Sequence, residues 1–290
     1  MVKGSIVALV TPFDDDKNID YEMLKKILNM HIKAKTNGLL LLGTTQESEA
    51  LKKEEKIKLV DFVLENVKDK IKIMVGLISN RIEEVISLDE DLKCYDIDSY
   101  LVIPPYYVKT NTSGLLKYFT YLADRLSKPL ILYNVPKRVG MSIPNEVVIA
   151  LSYHKNIIGI KDASDDIFYQ QELINNTKEG FLYYSGSDEL MLISLMLGAD
   201  GVISVIGNAF AKEVCLICNS ITNKNYEIAK TTYFKLYNLI KAMYKNVSPI
   251  GIKYVMYLLG MIRLNYRIPL DEPDKELKRI IEKEIIEIIE

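Results

Sequence analysis

Eight short apolar runs of strand length recur along the chain, and a segment with helical spacing follows each of them. The runs are SIVALV from residue 5, GLLLLG from 38, IKIMVGL from 71, SYLVIPP from 99, PLILYNV from 129, NIIGIK from 156, FLYYSG from 181 and GVISV from 201. Runs that are apolar on both faces and alternate with helices are typical of a parallel sheet covered on both sides. Eight such units predict an α/β fold, a (β/α)8 or TIM barrel, over residues 1–224.

The rest of the chain is helical in character, and no Pro-, Gly- or Ser-rich linker precedes it. Segments such as YEIAKTTYFKLYNLIKAMY predict that residues 225–290 form a C-terminal helical extension, packed on the barrel as one structural unit. A doubly wound sheet is the alternative, but it usually has fewer strands and often a glycine-rich phosphate turn after the first, unlike VTPFDDD here. Ser113 before GLLKYF and Pro144 in PNEVVIAL predict two helix starts.

Charge and apolar segment length exclude several classes of partner. The formal net charge is −2 and no long basic block occurs, which argues against nucleic-acid and anionic-membrane partners. The richest apolar window, LMLISLMLGADGVISVIG, is interrupted by Asp200 and is too short to span a membrane. The N-terminal apolar stretch is too short for a signal peptide. Together with the 3 cysteines, these features predict a cytoplasmic protein.

A C-x-x-C pair, Cys215 and Cys218, is the one motif that suggests a metal or redox centre. Such a site needs a second pair or nearby histidines. The only histidines, His31 and His154, lie far away in sequence, and the cysteines follow a helix-like apolar pattern. We therefore predict no metal site, and a core-facing helix at this position.

In a (β/α)8 barrel the active site lies at the C-terminal ends of the strands. The side chains found there are one lysine and several hydroxyls, without a histidine or a carboxylate pair. The positions are Thr11, Thr44, Thr45, Tyr106, Tyr107, Tyr133, Lys161, Ser185, Gly186 and Ile203.

Lys161 ends the apolar run NIIGIK, where burial of an ammonium group is costly. The strand could simply have ended, with the ammonium in water, and that alternative stays open. In an apolar barrel mouth the charged form is disfavoured, and a neutral amine can attack a carbonyl to form a Schiff base. The next step, loss of a proton from the adjacent carbon, needs a hydroxyl relay such as Tyr133 could provide. Arg138, in the following loop, could bind a carboxylate through two hydrogen bonds.

Seven motifs carry a resemblance to a known family. GSIVALVTPF, GTTQESE, PPYY, LYNVPKRVG, GIKDAS, SGSDE and GVISV occur in the order and spacing of the pyruvate-dependent class I aldolases, over essentially the whole chain. The resemblance implies a carbon–carbon lyase that needs no metal or organic cofactor, because its own lysine is the electron sink. The motifs are most similar to those of members that condense pyruvate with L-aspartate 4-semialdehyde. Their product, 4-hydroxy-tetrahydrodipicolinate, is a precursor of diaminopimelate and lysine.

The resemblance also implies catalytic roles. Lys161 would form the Schiff base with pyruvate, and Tyr133 with Thr44 would relay protons. Tyr107 would complete the relay from the neighbouring subunit, so that at least a dimer, and in the family's common arrangement a tetramer, is expected.

Four further positions are implied to bind the substrates, pyruvate and an aldehyde. Thr45 and the backbone near Ile203 would hold the pyruvate, and Gly186 would line the same pocket. Arg138 would bind the carboxylate of the aldehyde.

Some positions depart from the family pattern. Gln46 stands where the family usually has a glycine, and glutamine tolerates positive φ poorly. Leu77 and Ile78 replace the usual Thr-Gly after the third strand. An N-acetylneuraminate lyase or a 2-keto-3-deoxy sugar-acid aldolase is the alternative within the family, although Arg138 favours a short carboxylate-bearing acceptor. A catalytically silent barrel that senses a ligand is the alternative from another class.

Regulated members of the family bind lysine at the dimer interface. The corresponding positions are Ser48, Glu49, Lys53, Lys56, Asn80, Glu84 and Tyr106. Lys53 and Lys56 place two cations where regulated bacterial members tend to have histidines. Because like charges repel, we predict weak or absent inhibition by lysine.

Overall fold

The computed structural model describes residues 2–289, and within them eight strands close into a barrel in chain order. The strands are β1 Gly4–Ala8, β2 Gly38–Leu41, β3 Lys72–Leu77, β4 Ser99–Val102, β5 Leu130–Asn134, β6 Ile157–Asp162, β7 Leu182–Ser185 and β8 Gly201–Ser204. Neighbouring strands pair in parallel. The predicted (β/α)8 barrel is confirmed.

Helices alternate with the strands, and further helices follow β8. They are α1 Tyr21–Ala34, α2 Lys53–Val67, α3 Ile82–Leu92, α4 Thr112–Ala123, α5 Pro136–Val139, α6 Asn145–Leu151, α7 Ile167–Asn176, α8 Met191–Met196, α9 Ala211–Thr222, α10 Tyr226–Met243, α11 Ile250–Leu258 and α12 Lys275–Ile289. The C-terminal extension is helical, as predicted. Its boundary after residue 224 stays a prediction.

The chain forms two compact units. Lys72–Ile203 make up the first, which contains β3 to β7, nearly all of β8, and α3 to α8. Residues 2–71 and 204–289 make up the second, which contains β1, β2, α1, α2 and α9 to α12. In the second unit α10 packs against α9 and α12.

Sequence features explain several local structures. Gly159 lets β6 approach β7 closely, because a Cβ there would lie 2.6 Å from the carbonyl oxygen of Leu182. The start of α4 was predicted at Ser113, but Asn111 caps this helix by accepting a hydrogen bond from the backbone N–H of Gly114. Pro144 lies at the N-cap of α6, next to the predicted first turn.

None of the helices in the described range is both long enough and apolar enough to cross a membrane. Within residues 2–289, no group of three or more His, Cys, Asp or Glu side chains could hold a metal ion. Cys215 and Cys218 are buried thiols on α9, which confirms the predicted core-facing helix.

Candidate active site

Lys161 lies near the end of β6 and is buried, with 5% of its surface exposed. Tyr133 on β5 is its partner in the strand register, so both side chains leave the sheet on the same face. The Nζ atom of Lys161 lies 4.4 Å from the centroid of the Tyr133 ring, which is cation–π distance. No carboxylate of the described residues forms an ion pair with this lysine. The structure thus places the amine and the phenol side by side, without a counter-charge.

Asp162 lies directly after Lys161, and successive strand residues point to opposite faces. Its buried carboxylate accepts hydrogen bonds from Asn134 Nδ2 at 2.7 Å, Tyr183 Oη at 2.7 Å and Ser164 Oγ at 2.9 Å. Burial raises the pKa of Asp162, whereas these hydrogen bonds act in the opposite direction. Burial, and then the carboxylate of Asp162, raise the pKa of the Tyr183 phenol.

The hydrogen bond from Asn134 to Asp162 joins the residues that directly follow Tyr133 and Lys161 in sequence. Asn134 Oδ1 in turn accepts a hydrogen bond from the backbone N–H of Ile143 at 3.0 Å. These contacts fix the C-terminal ends of β5 and β6 against each other. Contacts on the opposite face of the sheet therefore fix the distance between the Lys161 amine and the Tyr133 phenol.

Gly186 follows β7 and is in close contact with the lysine. A Cβ at this position would lie 3.0 Å from Lys161 Cε and 2.9 Å from the carbonyl oxygen of Asp162. A side chain at position 186 would therefore displace Lys161, which explains the glycine. Ile203 is buried in β8, on the last strand of the same unit.

Arg138 and Tyr107 are both exposed. Arg138 lies on the short helix α5, directly after β5. Tyr107 is 93% exposed, with φ at 66°, in the left-handed region that non-glycine residues seldom adopt. Its neighbour Tyr106 is held on both sides by Asn80, whose amide donates to the Tyr106 carbonyl at 2.7 Å and accepts from its N–H at 2.7 Å. The Tyr107 side chain is therefore almost fully exposed to solvent on a strained backbone.

Thr44 and Thr45 lie in the second unit, on a 3-10 turn that follows β2, Thr44–Gln46. Thr45 is buried and Thr44 is half-buried. Gln46 does not have positive φ, so the strain expected from its replacement of glycine does not arise. Its side chain is buried, and Oε1 accepts a hydrogen bond from the Leu42 N–H at 2.5 Å. The Gln46 side chain therefore links the turn to the backbone at the end of β2.

The predicted lysine-binding positions fall in both units. In the second unit Ser48 is buried, and Glu49 lies 3.6 Å from Lys56. In the first unit Glu84 accepts a hydrogen bond from Ser79 Oγ at 2.6 Å and lies 3.3 Å from Arg81. Both carboxylates that could bind a cationic ligand therefore already have cationic neighbours.

Two buried polar networks were not predicted from the sequence. One consists of Asp162, Asn134 and Tyr183. The other is a buried ion pair between Glu47 and Lys253. Glu47 directly follows the 3-10 turn Thr44–Gln46, which we call the threonine turn. Each network contains a polar residue in a run that is otherwise apolar, and that signal could have drawn attention to them.

The model of the dihydrodipicolinate synthetase family matches residues 1–288. The chain is 38% identical over 286 residues to a 4-hydroxy-tetrahydrodipicolinate synthase from Buchnera aphidicola subsp. Cinara cedri, covering 97% of this chain and 96% of that protein. It is similar in structure to a chloride-inhibited dihydrodipicolinate synthase from Acinetobacter baumannii in complex with pyruvate, with a TM-score of 0.96, 32% identity and 99% of each chain covered. A monomeric dihydrodipicolinate synthase variant gives a TM-score of 0.95 and 30% identity, with 99% of this chain and 97% of that one covered.

Proposed function

The chain belongs to the dihydrodipicolinate synthetase family, and from this premise we propose that it condenses pyruvate with L-aspartate 4-semialdehyde. The product is 4-hydroxy-tetrahydrodipicolinate, in the biosynthesis of diaminopimelate and lysine. The enzyme is a carbon–carbon lyase of the class I aldolase type, and its relatives do not favour a sugar-acid aldolase. The observation that supports this activity most is the buried Lys161 amine beside the Tyr133 phenol, with no carboxylate partner among the residues that the structure describes.

Lys161 is the proposed nucleophile. Its amine attacks the C2 carbonyl of pyruvate, and loss of water leaves an iminium ion, which withdraws electrons from C3. Loss of a C3 proton then gives an enamine, whose C3 forms a bond to the aldehyde carbon of the second substrate. Attack by the amino group of that substrate on C2 closes the ring and releases Lys161. The reaction therefore requires no cofactor besides the lysine.

Tyr133 is the proposed proton carrier nearest the amine. A phenol at this distance can donate its proton to the departing hydroxyl, and the resulting phenolate can then accept the C3 proton through a chain of hydroxyls. Thr44 and Tyr107 are proposed as the other members of the relay, on the basis of the motifs GTTQE and PPYY. Tyr107 would act from a neighbouring subunit, and its 93% exposure supports this role.

The remaining roles are proposed from the motifs as well. Thr45 and the backbone at Ile203 would hold the pyruvate carboxylate, and Gly186 provides room for the lysine. Arg138 would bind the carboxylate of the aldehyde, for which its planar guanidinium is suited. We propose a dimer or tetramer as the active assembly. We also propose a cytoplasmic location, which three free thiols support.

A coupled assay tests the proposal. Purified protein is supplied with pyruvate and L-aspartate 4-semialdehyde, and dihydrodipicolinate reductase reports the product as NADPH oxidation. Lys161→Ala is compared with Lys155→Ala, which removes an exposed lysine just before the same strand. Turnover in the wild type and in Lys155→Ala, but not in Lys161→Ala, is the expected result.

Borohydride reduction in the presence of pyruvate tests the covalent step separately. Mass spectrometry of the peptide that contains Lys161 should then show the reduced adduct. An adduct without turnover would mean that the acceptor is a different aldehyde. A folded protein that forms no adduct would contradict the Schiff-base mechanism.

A further inference from the structure

Lys253 on α11 is fully buried, with 0% of its surface exposed. Its ammonium group donates hydrogen bonds to Glu47 Oε1 and, at 2.8 Å, to the carbonyl oxygen of Asn265. The rings of Phe13 and Tyr266 lie on its other sides, with centroids 4.3 and 5.2 Å from Nζ. The ion pair is therefore enclosed by aromatic rings, where the two charges interact strongly.

Glu47 connects the threonine turn to the segment that follows it. It ends the 3-10 turn Thr44–Gln46 and precedes a second such turn, Ser48–Ala50. Its φ of 55° is in the left-handed region, which is unfavourable for glutamate without compensating contacts. Its second carboxylate oxygen accepts a hydrogen bond from the backbone N–H of Arg267 at 3.0 Å.

Arg267 holds the far end of the same segment. Its guanidinium donates to the carbonyl oxygen of Ala50 at 2.9 Å and forms two hydrogen bonds with the carboxylate of Glu55, at 2.6 and 2.8 Å. Residues 44–50 are therefore held at their centre through Glu47 and at their end through Ala50. Both contacts come from the C-terminal extension.

Burying an ion pair costs desolvation free energy, and an apolar pair of similar volume is often at least as stable. An apolar pair could not provide the directional hydrogen bonds that Glu47 accepts from Lys253 and from the Arg267 N–H. We propose that the Glu47–Lys253 pair, together with Arg267, positions Thr44 and Thr45 for proton relay and pyruvate binding. The inference rests on the proposed function, and it makes the C-terminal extension a positioning element for the reaction.

Two replacements made together test the proposal, Glu47→Gln with Lys253→Met. They remove both charges at once and leave an acceptor for the Arg267 N–H. The matched control is Asp15→Asn with Arg263→Met, which removes an exposed ion pair of 2.9 Å made by the same C-terminal segment. The assay follows deuterium exchange into the methyl group of pyruvate by NMR, which needs the Schiff base and the relay but no aldehyde. A wild type without exchange would contradict the proposed function itself, independently of any variant.

We expect the buried-pair variant to exchange about tenfold to a hundredfold more slowly at saturating pyruvate, since small displacements of positioned groups have effects of this size. The control should exchange at the wild-type rate. The same replacements are then made in a Thr44→Val background. A positioning role predicts that their effect there falls to less than about threefold, because coupled residues are not additive.

A folded buried-pair variant with the wild-type rate would overturn the proposal, and so would an equal loss in both backgrounds. If the buried-pair variant does not fold, Arg267→Lys provides the second test, because this side chain is partly exposed. It keeps the charge but loses the paired hydrogen bonds, and we expect a smaller loss that also diminishes in the Thr44→Val background. An unchanged rate in Arg267→Lys would likewise count against positioning.

Discussion

Lys161 on β6 and Lys253 on α11 are both nearly inaccessible to water, with 5% and 0% of their surfaces exposed. The ammonium group of Lys161 lies over one aromatic ring, and that of Lys253 lies over two. Lys253 also has a carboxylate and a carbonyl oxygen as hydrogen-bond partners. Lys161 has neither in the part of the chain that the structure describes. The two residues share their chemistry and their burial, and differ in the partners that the fold provides.

The difference distinguishes a structural lysine, Lys253, from Lys161, for which we propose a reactive role. Burial lowers the pKa of Lys253 to about 8. The Glu47 carboxylate acts in the opposite direction, because it favours the protonated form of the lysine. An amine that is bound to a carboxylate cannot attack a carbonyl without breaking that contact. Lys161 has no such contact with any of residues 2–289. Burial alone therefore does not identify a nucleophile, whereas burial without a counter-charge beside a phenol favours one.

Replacement of Lys161 should have the largest effect on activity and a small one on stability. Lys161→Met should reduce kcat/KM by at least about a thousandfold, as expected for removal of a nucleophile. Unfolding free energy should change by less than about 1.5 kcal/mol, because methionine fills a similar volume and no ion pair is lost. Steady-state kinetics and urea unfolding measure the two quantities. A large loss of stability would mean that Lys161 has a structural role like that of Lys253.

Removal of one partner of the buried pair should show the opposite pattern. Glu47→Gln leaves the Lys253 ammonium in the interior without its counter-charge, which should lower the unfolding free energy by about 3–5 kcal/mol. Adding Lys253→Met should recover much of that loss, because no uncompensated charge remains. Urea unfolding at pH 7 measures both steps. If Glu47→Gln costs no more than the exposed-pair variant Asp15→Asn, the pair does not stabilise the fold.

The contrast between the two lysines also shows what the sequence could predict. Lys161 was identified because it ends an apolar run at the position where strand ends converge in a barrel, and local pattern was sufficient for that. The eight strands and the helical character of the C-terminal segment were predicted in the same way, from period and length. Ser113 predicts the start of α4, whereas Asn111 is the residue that caps this helix, because both residue types can serve as a helix N-cap.

The partner of Lys253 could not be predicted from local pattern. Glu47 and Lys253 are 206 positions apart, and only the folded chain brings them together. Gln46 was interpreted as a source of backbone strain, whereas the left-handed residues of this turn are Leu42 and Glu47. Which residue of a turn adopts positive φ depends on contacts with the rest of the protein, and those are long-range.

His31 is a buried base that has no charged partner among the described residues 2–289. Its Nδ1 lies 3.1 Å from Thr36 Oγ1, and burial lowers the pKa of the imidazole from 6.5 to about 3. Between these two pH values the unfolded chain binds a proton that the folded chain does not, so stability falls as the pH falls. The slope should be about 1.4 kcal/mol per pH unit greater in the wild type than in His31→Gln. Urea unfolding at pH 6 and pH 4 measures it, and parallel pH profiles would show that His31 does not remain neutral.

Lys53 and Lys56 represent the third environment, lysines near the surface whose charge is predicted to act on a ligand instead of on the fold. Lys56 lies 3.6 Å from Glu49, which leaves less negative charge for a cationic inhibitor, and Lys53 adds an exposed positive charge nearby in sequence. We therefore expect about 1 mM L-lysine to lower the rate by less than about twofold, because like charges repel at short range. Lys53→His with Lys56→His, which removes both charges near neutral pH, should increase the inhibition. Half-maximal inhibition of the wild type at micromolar lysine would show that Glu84, with Asn80 and Tyr106, binds the inhibitor strongly enough to overcome both cations.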